Sequence, residues 1–322
     1  MNSKQARVSN TFLMNSPFNL TNDQAYQSWK QSKLASYCAD PAQMLVEVND
    51  INALTTSEIA ELTRVCGKYN SVLYRSHHPG ITKESIRRLG QQLGLHRLDE
   101  NICADEKGIS GIQVMPDGTR HEGYIPYTDK PINWHTDGYY NTVDRTIRAM
   151  ILHCVSDAAS GGENALFDHE ILYILMRDHD PELIQALMMD DAMSIPANYE
   201  NGVLIRDRIS GPVFSMDQHS GNLHMRYTAR QRSIEWKQHE KVSAAVEFIR
   251  TLFKSGSEYI LHYRLQPGEG IISNNVLHNR SGFTDEPAKD KQRLLYRARY
   301  LDRVQSTDLA DIFEQGENPC CG

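Results

Sequence analysis

Within PINWHTDGYYN, His135 and Asp137 stand two residues apart, a spacing that on an extended chain turns both side chains to one face. A third candidate, His278, closes the apolar run GIISNNVLH. Two imidazoles and one carboxylate form the facial triad that holds Fe(II) and leaves positions open for a chelating co-substrate and O2. A structural zinc site would close its shell with four nitrogen or sulfur ligands, and no fourth ligand stands near these motifs. The His-x-Asp pair by itself says little. With 13 histidines and 41 acids in 322 positions, 13 × 41/322 predicts roughly two such pairs by chance. Its company gives it weight.

That company is the run QRLLYRARYLD, which begins about 15 residues after His278. In a strand, Arg293, Leu295, Arg297 and Arg299 share one face and Leu294, Tyr296, Ala298 and Tyr300 the other. In a run this apolar one face is expected to turn inward, where a guanidinium must meet an anion or lose several kcal/mol of solvation. Its planar fork suits a bidentate grip on a carboxylate. The competing reading pairs these arginines with nearby acids such as Asp285 or Glu286.

The elements that must position these groups are short. Thr55 and Glu58 have capping-box spacing ahead of Ile59, Leu62 and Val65. A second helix is expected over Lys83 to Leu93, and SVLYRS between the two reads as a strand. From about residue 111, β-type runs follow in series (GIQVM, TIRAMILHCV, NALFD, VLIRD, PVFSMD, LHMRY, YILHYRL, GIISNNV, RLLYRARYL), separated by Gly, Pro, Asn and Asp. Two helical stretches interrupt them, His169 to Met189 with a break near Pro181, and Arg230 to Phe253 with Ile234, Val242, Val246, Ile249 and Phe253 as its apolar line. Many short strands without regular strand-helix alternation predict a mainly β fold with flanking helices, an antiparallel sandwich or jelly roll.

The order His-Thr-Asp, then Gly161-Gly162-Glu163-Asn164, then the distal histidine in NNVLHNRSGF, then Arg-x-x-x-Arg in RLLYR resembles the Fe(II)/2-oxoglutarate-dependent dioxygenases of the taurine dioxygenase and clavaminate synthase-like superfamily, over roughly residues 110 to 302. The resemblance implies a double-stranded β-helix (jelly-roll) core and an oxygenase that uses Fe(II), 2-oxoglutarate and O2. It implies His135, Asp137 and His278 as iron ligands, Arg293 on the far carboxylate of 2-oxoglutarate with Asn164 assisting, and Arg297 on an anionic group of the substrate. Tyr139, Tyr140 and Asn141 are expected to line the pocket, with Arg299 either a further substrate contact or an ion-pair partner. Asn164 stands where taurine dioxygenase has threonine, and Gly138-Tyr139-Tyr140-Asn141 departs from it as well, so a small anionic or zwitterionic metabolite other than taurine is expected. Members of the superfamily commonly form dimers or tetramers, so a homo-oligomer is admitted.

Composition bounds the remainder. Formal charge is −7 with 40% hydrophobic and 23% charged residues, a globular balance without the clustered basic residues of a nucleic-acid surface. No apolar run approaches the roughly 18 residues of a membrane span, and the first residues lack the apolar core of a signal peptide, so a cytoplasmic location is expected. The six cysteines, Cys38, Cys66, Cys103, Cys154, Cys320 and Cys321, make no CxxC pair and are expected as reduced thiols. Without repeats or long linkers the chain is read as one domain over 1–322: a helical N-terminal part to residue 110, a jelly-roll core over 111–302 with helical insertions, and a tail over 303–322. Paired His77-His78, and His121, His219 and His224, are read as polar loop or strand residues. Two other classes stay open, a non-catalytic jelly-roll protein binding a metal or anion, and a zinc hydrolase using the same triad, which would need a general acid/base beside the metal.

Overall fold

The computed structural model describes residues 16–35, 37–99, 108–115, 124–200, 202–217, 220–230, 234–286, 288 and 291–309. Two compact units emerge, one of residues 39–168 with 258–307, the other of residues 1–38, 169–257 and 308–322. Both are strand-rich with helices. Cys103, Cys320, Cys321, His121 and His219 lie outside the described residues, while Cys38 and Cys154 are free thiols and Cys66 is buried. No helix among the described residues is long and apolar enough to cross a membrane.

The first unit holds every predicted site residue. Its strands are β1 (Leu45–Val48), β2 (Ser71–Ser76), β3 (Ile109–Ile112), β4 (Ile132–His135), β5 (Ala149–Ser156), β6 (Ser160–Gly161), β7 (Asn164–Phe167), β8 (Leu261–Tyr263), β9 (Glu269–Ser273), β10 (Leu277–Arg280), β11 (Phe283–Thr284) and β12 (Leu294–Tyr300). Six form one sheet in the order β1-β2-β9-β5-β12-β3, four form a second in the order β8-β7-β10-β4, and β6 pairs with β11. Only β1 and β2 pair in parallel; the other pairings are antiparallel. Strands β1 and β2 precede residue 110 yet extend the large sheet, β2 lying directly against β9.

Two of the longer described helices pack on the large sheet of this unit. Helix α1 (Thr56–Tyr69) begins in the predicted capping box, with Thr55 accepting from the Glu58 amide and Glu58 accepting from the Thr55 amide. Helix α2 (Lys83–Gln92) is capped the same way by Thr82 and Ser85. It lies on the Tyr296 and Tyr300 face of β12: Lys83 Nζ is 6.0 Å from the Tyr296 ring centroid, and a Cβ at Gly90 would collide with the Tyr300 ring. By alternation Arg297 and Arg299 point the other way.

Two boundaries differ from the sequence reading. The run GIISNNVLH is not one strand ending in His278; it breaks at Asn274-Asn275, where Asn275 has φ 55°, and His278 sits inside the new strand β10. A left-handed residue cannot continue a strand, and Asn tolerates that conformation. In the second unit the break at Pro181 divides helices His169–His179 and Pro181–Leu187. The following helix covers Glu240–Ser255 rather than starting at Arg230. His239 caps it by accepting from the Lys241 amide, and Glu235 and Trp236 instead pair with Ser194 and Met193.

Candidate active site

His135 and His278 face each other directly across β4 and β10, with ring centroids 4.2 Å apart. Each ring is fixed by its own strand: His135 Nδ1 lies 2.9 Å from the Asn133 carbonyl and His278 Nδ1 2.9 Å from the Val276 carbonyl. A carbonyl only accepts, so Nδ1 carries the proton and Nε2 presents a lone pair. Burial, reinforced by His278, pushes the His135 pKa down to about 3, which keeps that imidazole neutral.

Asp137 is not on the strand. It lies beyond the end of β4 at the start of a turn, with Oδ1 3.8 Å from His135 Nε2. The ligand atoms of His135, Asp137 and His278 all lie within 4.8 Å of one another. Burial would raise the Asp137 pKa, but Arg297, Arg299 and the two histidines outweigh it and hold the carboxyl well below the usual range. Its Oδ2 is buried without a hydrogen-bond partner. Two imidazole lone pairs and an ionised, under-satisfied carboxylate are a donor set that fits a divalent metal.

The arginines come from the large sheet. Arg297 Nη1 stands 3.7 Å from Asp137 Oδ1, and its Nε is buried without a partner. Arg293 is 5% exposed. Its amide donates to Asp285, but its guanidinium makes no ion pair among the described residues and its Nη1 has no partner. Burial pushes its pKa down to about 10. Its guanidinium carbon lies 5.0 Å from the Phe283 ring centroid, and it walls a cleft with Cys154, Asp157, Gly162, Arg264 and Leu295. Glycine is required beside it: Gly161 has φ +72° with its α-carbon against the Gly282 carbonyl, and Gly162 has φ +74° with its Cβ position 3.1 Å from Arg293 Nε. Asn164, on β7 opposite Arg280, has a buried Nδ2 with no partner.

The turn after Asp137 carries the remaining predicted residues. The Tyr139 and Tyr140 rings meet edge to face at 5.1 Å. Asn141 gives its amide to the Arg145 carbonyl at 2.9 Å, which closes the turn. Arg299 is committed to partners: it pairs with Asp99 at 2.5 Å and donates to the Tyr140 hydroxyl at 2.8 Å. Asp99 also takes Arg145 at 2.7 Å, so of the two roles expected for Arg299 the structure displays the ion pair.

The chain matches the model of the taurine catabolism dioxygenase TauD, TfdA family over residues 32–299. This protein is a member of that family. It is thus an oxygenase that uses Fe(II) and 2-oxoglutarate. Among relatives, the uridine-5′-phosphate dioxygenase of Amycolatopsis sp is 29% identical over 195 residues, 59% of this chain and 67% of that protein. A second, from Streptomyces sp, is 28% identical over 204 residues, 60% of this chain and 69% of that protein. Among solved structures, asparagine oxygenase with Fe(II), 2S,3S-3-hydroxyasparagine and succinate aligns with TM-score 0.57 and 17% identity over 85% of this chain and 88% of that one. A taurine dioxygenase from Burkholderia xenovorans aligns with TM-score 0.53 and 16% identity over 80% of this chain and 86% of that one. At these identities the likeness is one of fold.

For this TauD/TfdA-family oxygenase the hydrolase and binding-protein readings lose their ground. Sequence reasoning missed Asn275, Asp99 and Arg280. Arg280 donates to the carbonyls of Pro126, Thr128 and Lys130 and tethers the approach to β4. Its place two residues after His278 was the available signal.

Proposed function

We propose that His135, Asp137 and His278 hold the Fe(II) of this oxygenase and that a small anionic metabolite is its substrate. The convergence of their three ligand atoms within 4.8 Å carries the reading. Bound there, Fe(II) supplies the redox centre at which O2 and 2-oxoglutarate are consumed, yielding succinate, CO2 and an oxidised substrate. The two histidines offer Nε2, each ring held through its Nδ1 bond to the Asn133 or Val276 carbonyl, and Asp137 supplies the one anionic ligand.

Arg293 takes the distal carboxylate of 2-oxoglutarate, because a buried cation without a counter-ion favours an anion. The unpartnered Asn164 amide is placed to assist. Arg297 serves the substrate. It faces the metal group and retains an unpartnered Nε, which suits a phosphate, sulfonate or carboxylate. The relatives named for uridine-5′-phosphate make a nucleoside monophosphate the first substrate class to try. Tyr139 and Tyr140 line the pocket, while Asn141 and Arg299 shape the loop that carries them. The six- and four-stranded sheets of this unit correspond to the two walls of a double-stranded β-helix, in a chain read as a single catalytic domain.

The test is an anaerobic titration of the apo-protein with Fe(II) and then 2-oxoglutarate, followed by succinate release with nucleoside monophosphates, amino acids and sulfonates. The expected result is the visible charge-transfer band of an iron-bound keto acid, lost in Asp137→Ala, and succinate release that Arg297→Gln weakens mainly through KM. A normal band in Asp137→Ala would refute the ligand assignment.

A further inference from the structure

The three proposed ligands are not held alike. His135 and His278 are locked by sheet pairing, whereas Asp137 lies past the strand end, where no ladder fixes its backbone. A single side chain replaces the ladder. Asn275 accepts from the Asp137 amide at 2.8 Å, donates to the Asp137 carbonyl at 2.9 Å and donates to the Ile147 carbonyl at 2.7 Å. It is 1% exposed, and its left-handed backbone makes the corner from β9 into β10, three residues before His278. Gly138 reinforces the arrangement: at φ +69° it packs its α-carbon against Ile147, so only glycine lets the chain turn back onto the residue that Asn275 also grips.

We infer that Asn275 is the positioning residue of the metal centre: it sets the carboxylate ligand in register with the histidine pair and pins both ends of the loop that bears Tyr139 and Tyr140. The inference rests on the ligand assignment above. Its physical content is that both backbone groups of Asp137 and the far end of the loop are tied to the corner that leads into the strand carrying His278, so the carboxylate moves with the histidines rather than with the loop. Supporting residues of metal ligands typically contribute about 10- to 100-fold to metal affinity.

The test separates positioning from backbone geometry and from bulk stability. Asn275→Gly accepts the left-handed conformation freely but removes all three hydrogen bonds. Asn275→Asp keeps the acceptor and loses both donors, and gives the same reading should the glycine variant fail to fold. Asn222→Ala is the control: Asn222 is a buried amide of the other unit that bonds Ser220, Asp308 and the Leu309 amide. Fe(II) affinity is measured anaerobically by calorimetry well below each melting temperature, with apo-protein thermal unfolding alongside. The expected result is Fe(II) binding weakened about 10- to 100-fold in Asn275→Gly, less in Asn275→Asp, against a lower melting temperature and unchanged Fe(II) affinity in Asn222→Ala. Binding within about threefold of the parent in both Asn275 variants, or an equal loss in Asn222→Ala, overturns the inference. Unchanged Fe(II) binding in Asp137→Ala would instead remove the ligand assignment, a distinguishable failure.

Discussion

Replacing Arg293 with methionine should move two measurements in opposite directions. Without co-substrate, the guanidinium is buried at 5% exposure, makes no ion pair among the described residues, and has an unpartnered Nη1. Phe283, Cys154 and Leu295 on one side suit an unbranched apolar side chain, while Asp157 and Arg264 line the same cleft. Removing the desolvated, unpaired guanidinium relieves the cost of burying a charge without a counter-ion, so apo Arg293→Met should melt at the parent temperature or a few degrees above it. Removing one partner of a buried charge pair, by contrast, costs about 2–5 kcal/mol of binding. At about 1.4 kcal/mol per tenfold this is a loss of roughly 30- to 5,000-fold in 2-oxoglutarate affinity. The assays are apo thermal unfolding and anaerobic titration of the Fe(II) protein with 2-oxoglutarate. Co-substrate affinity within about threefold of the parent, or an apo-protein melting several degrees lower, would refute the reasoning.

Further perturbations follow from the same geometry. Gly162→Ala places a methyl 3.1 Å from Arg293 Nε at φ +74° and should weaken 2-oxoglutarate about tenfold while leaving Fe(II) affinity unchanged, read by the same two titrations. Asp99→Asn strips the buried counter-ion from Arg299 and should destabilise by about 3–5 kcal/mol, on the order of 10 °C in melting temperature; an unchanged melt would refute the buried pair. His153, whose Nδ1 lies 2.9 Å from the Tyr74 hydroxyl, has its pKa pushed by burial from an ordinary 6.5 down to about 4. The folded state therefore refuses a proton that the unfolded chain takes up. Stability from this group is complete above pH 6.5 and is lost as pH falls towards 4, by about 3 kcal/mol. Urea unfolding of the apo-protein across that range should show the decline, and His153→Gln should flatten it.

The chemistry-bearing residues were legible because their local spacing survives into the fold. His135, Asp137 and His278 converge in the order read from the sequence, although Asp137 lies past the strand end; Arg297 and Arg299 keep the face opposite Tyr296 and Tyr300, and the capping box of Thr55 and Glu58 is where the sequence places it. What was illegible is non-local. The counter-ion of Arg299 is Asp99, two hundred positions away, and no periodicity reveals such a pairing. β2, legible as a strand, joins the large sheet through a partner beyond residue 260 and brings β1 with it, a pairing that no local pattern reveals. The apolar pattern from Ile234 onward fits a helix, yet Glu235 and Trp236 are captured by a neighbouring strand, a tertiary pairing that outweighs local propensity. The Asn274-Asn275 corner carried a local signal, since consecutive asparagines favour a left-handed turn, but the apolar run on each side masked it.

The grip of Asn275 on Asp137 and Ile147 also bears on how such a protein diversifies. Residues 138–146 form a cassette with both ends fastened outside itself, so under the proposed ligand assignment substitutions between the fasteners are expected to alter what the pocket accepts without moving the metal ligands. Within it Gly138, wedged against Ile147, Tyr140, held by Arg299, and Arg145, paired with Asp99, resist exchange. An architecture of this kind separates the inheritance of a reaction from the inheritance of a substrate, and it marks the positions between these anchors as those in which loops grafted from homologues are expected to transfer preference while leaving the oxidative chemistry in place.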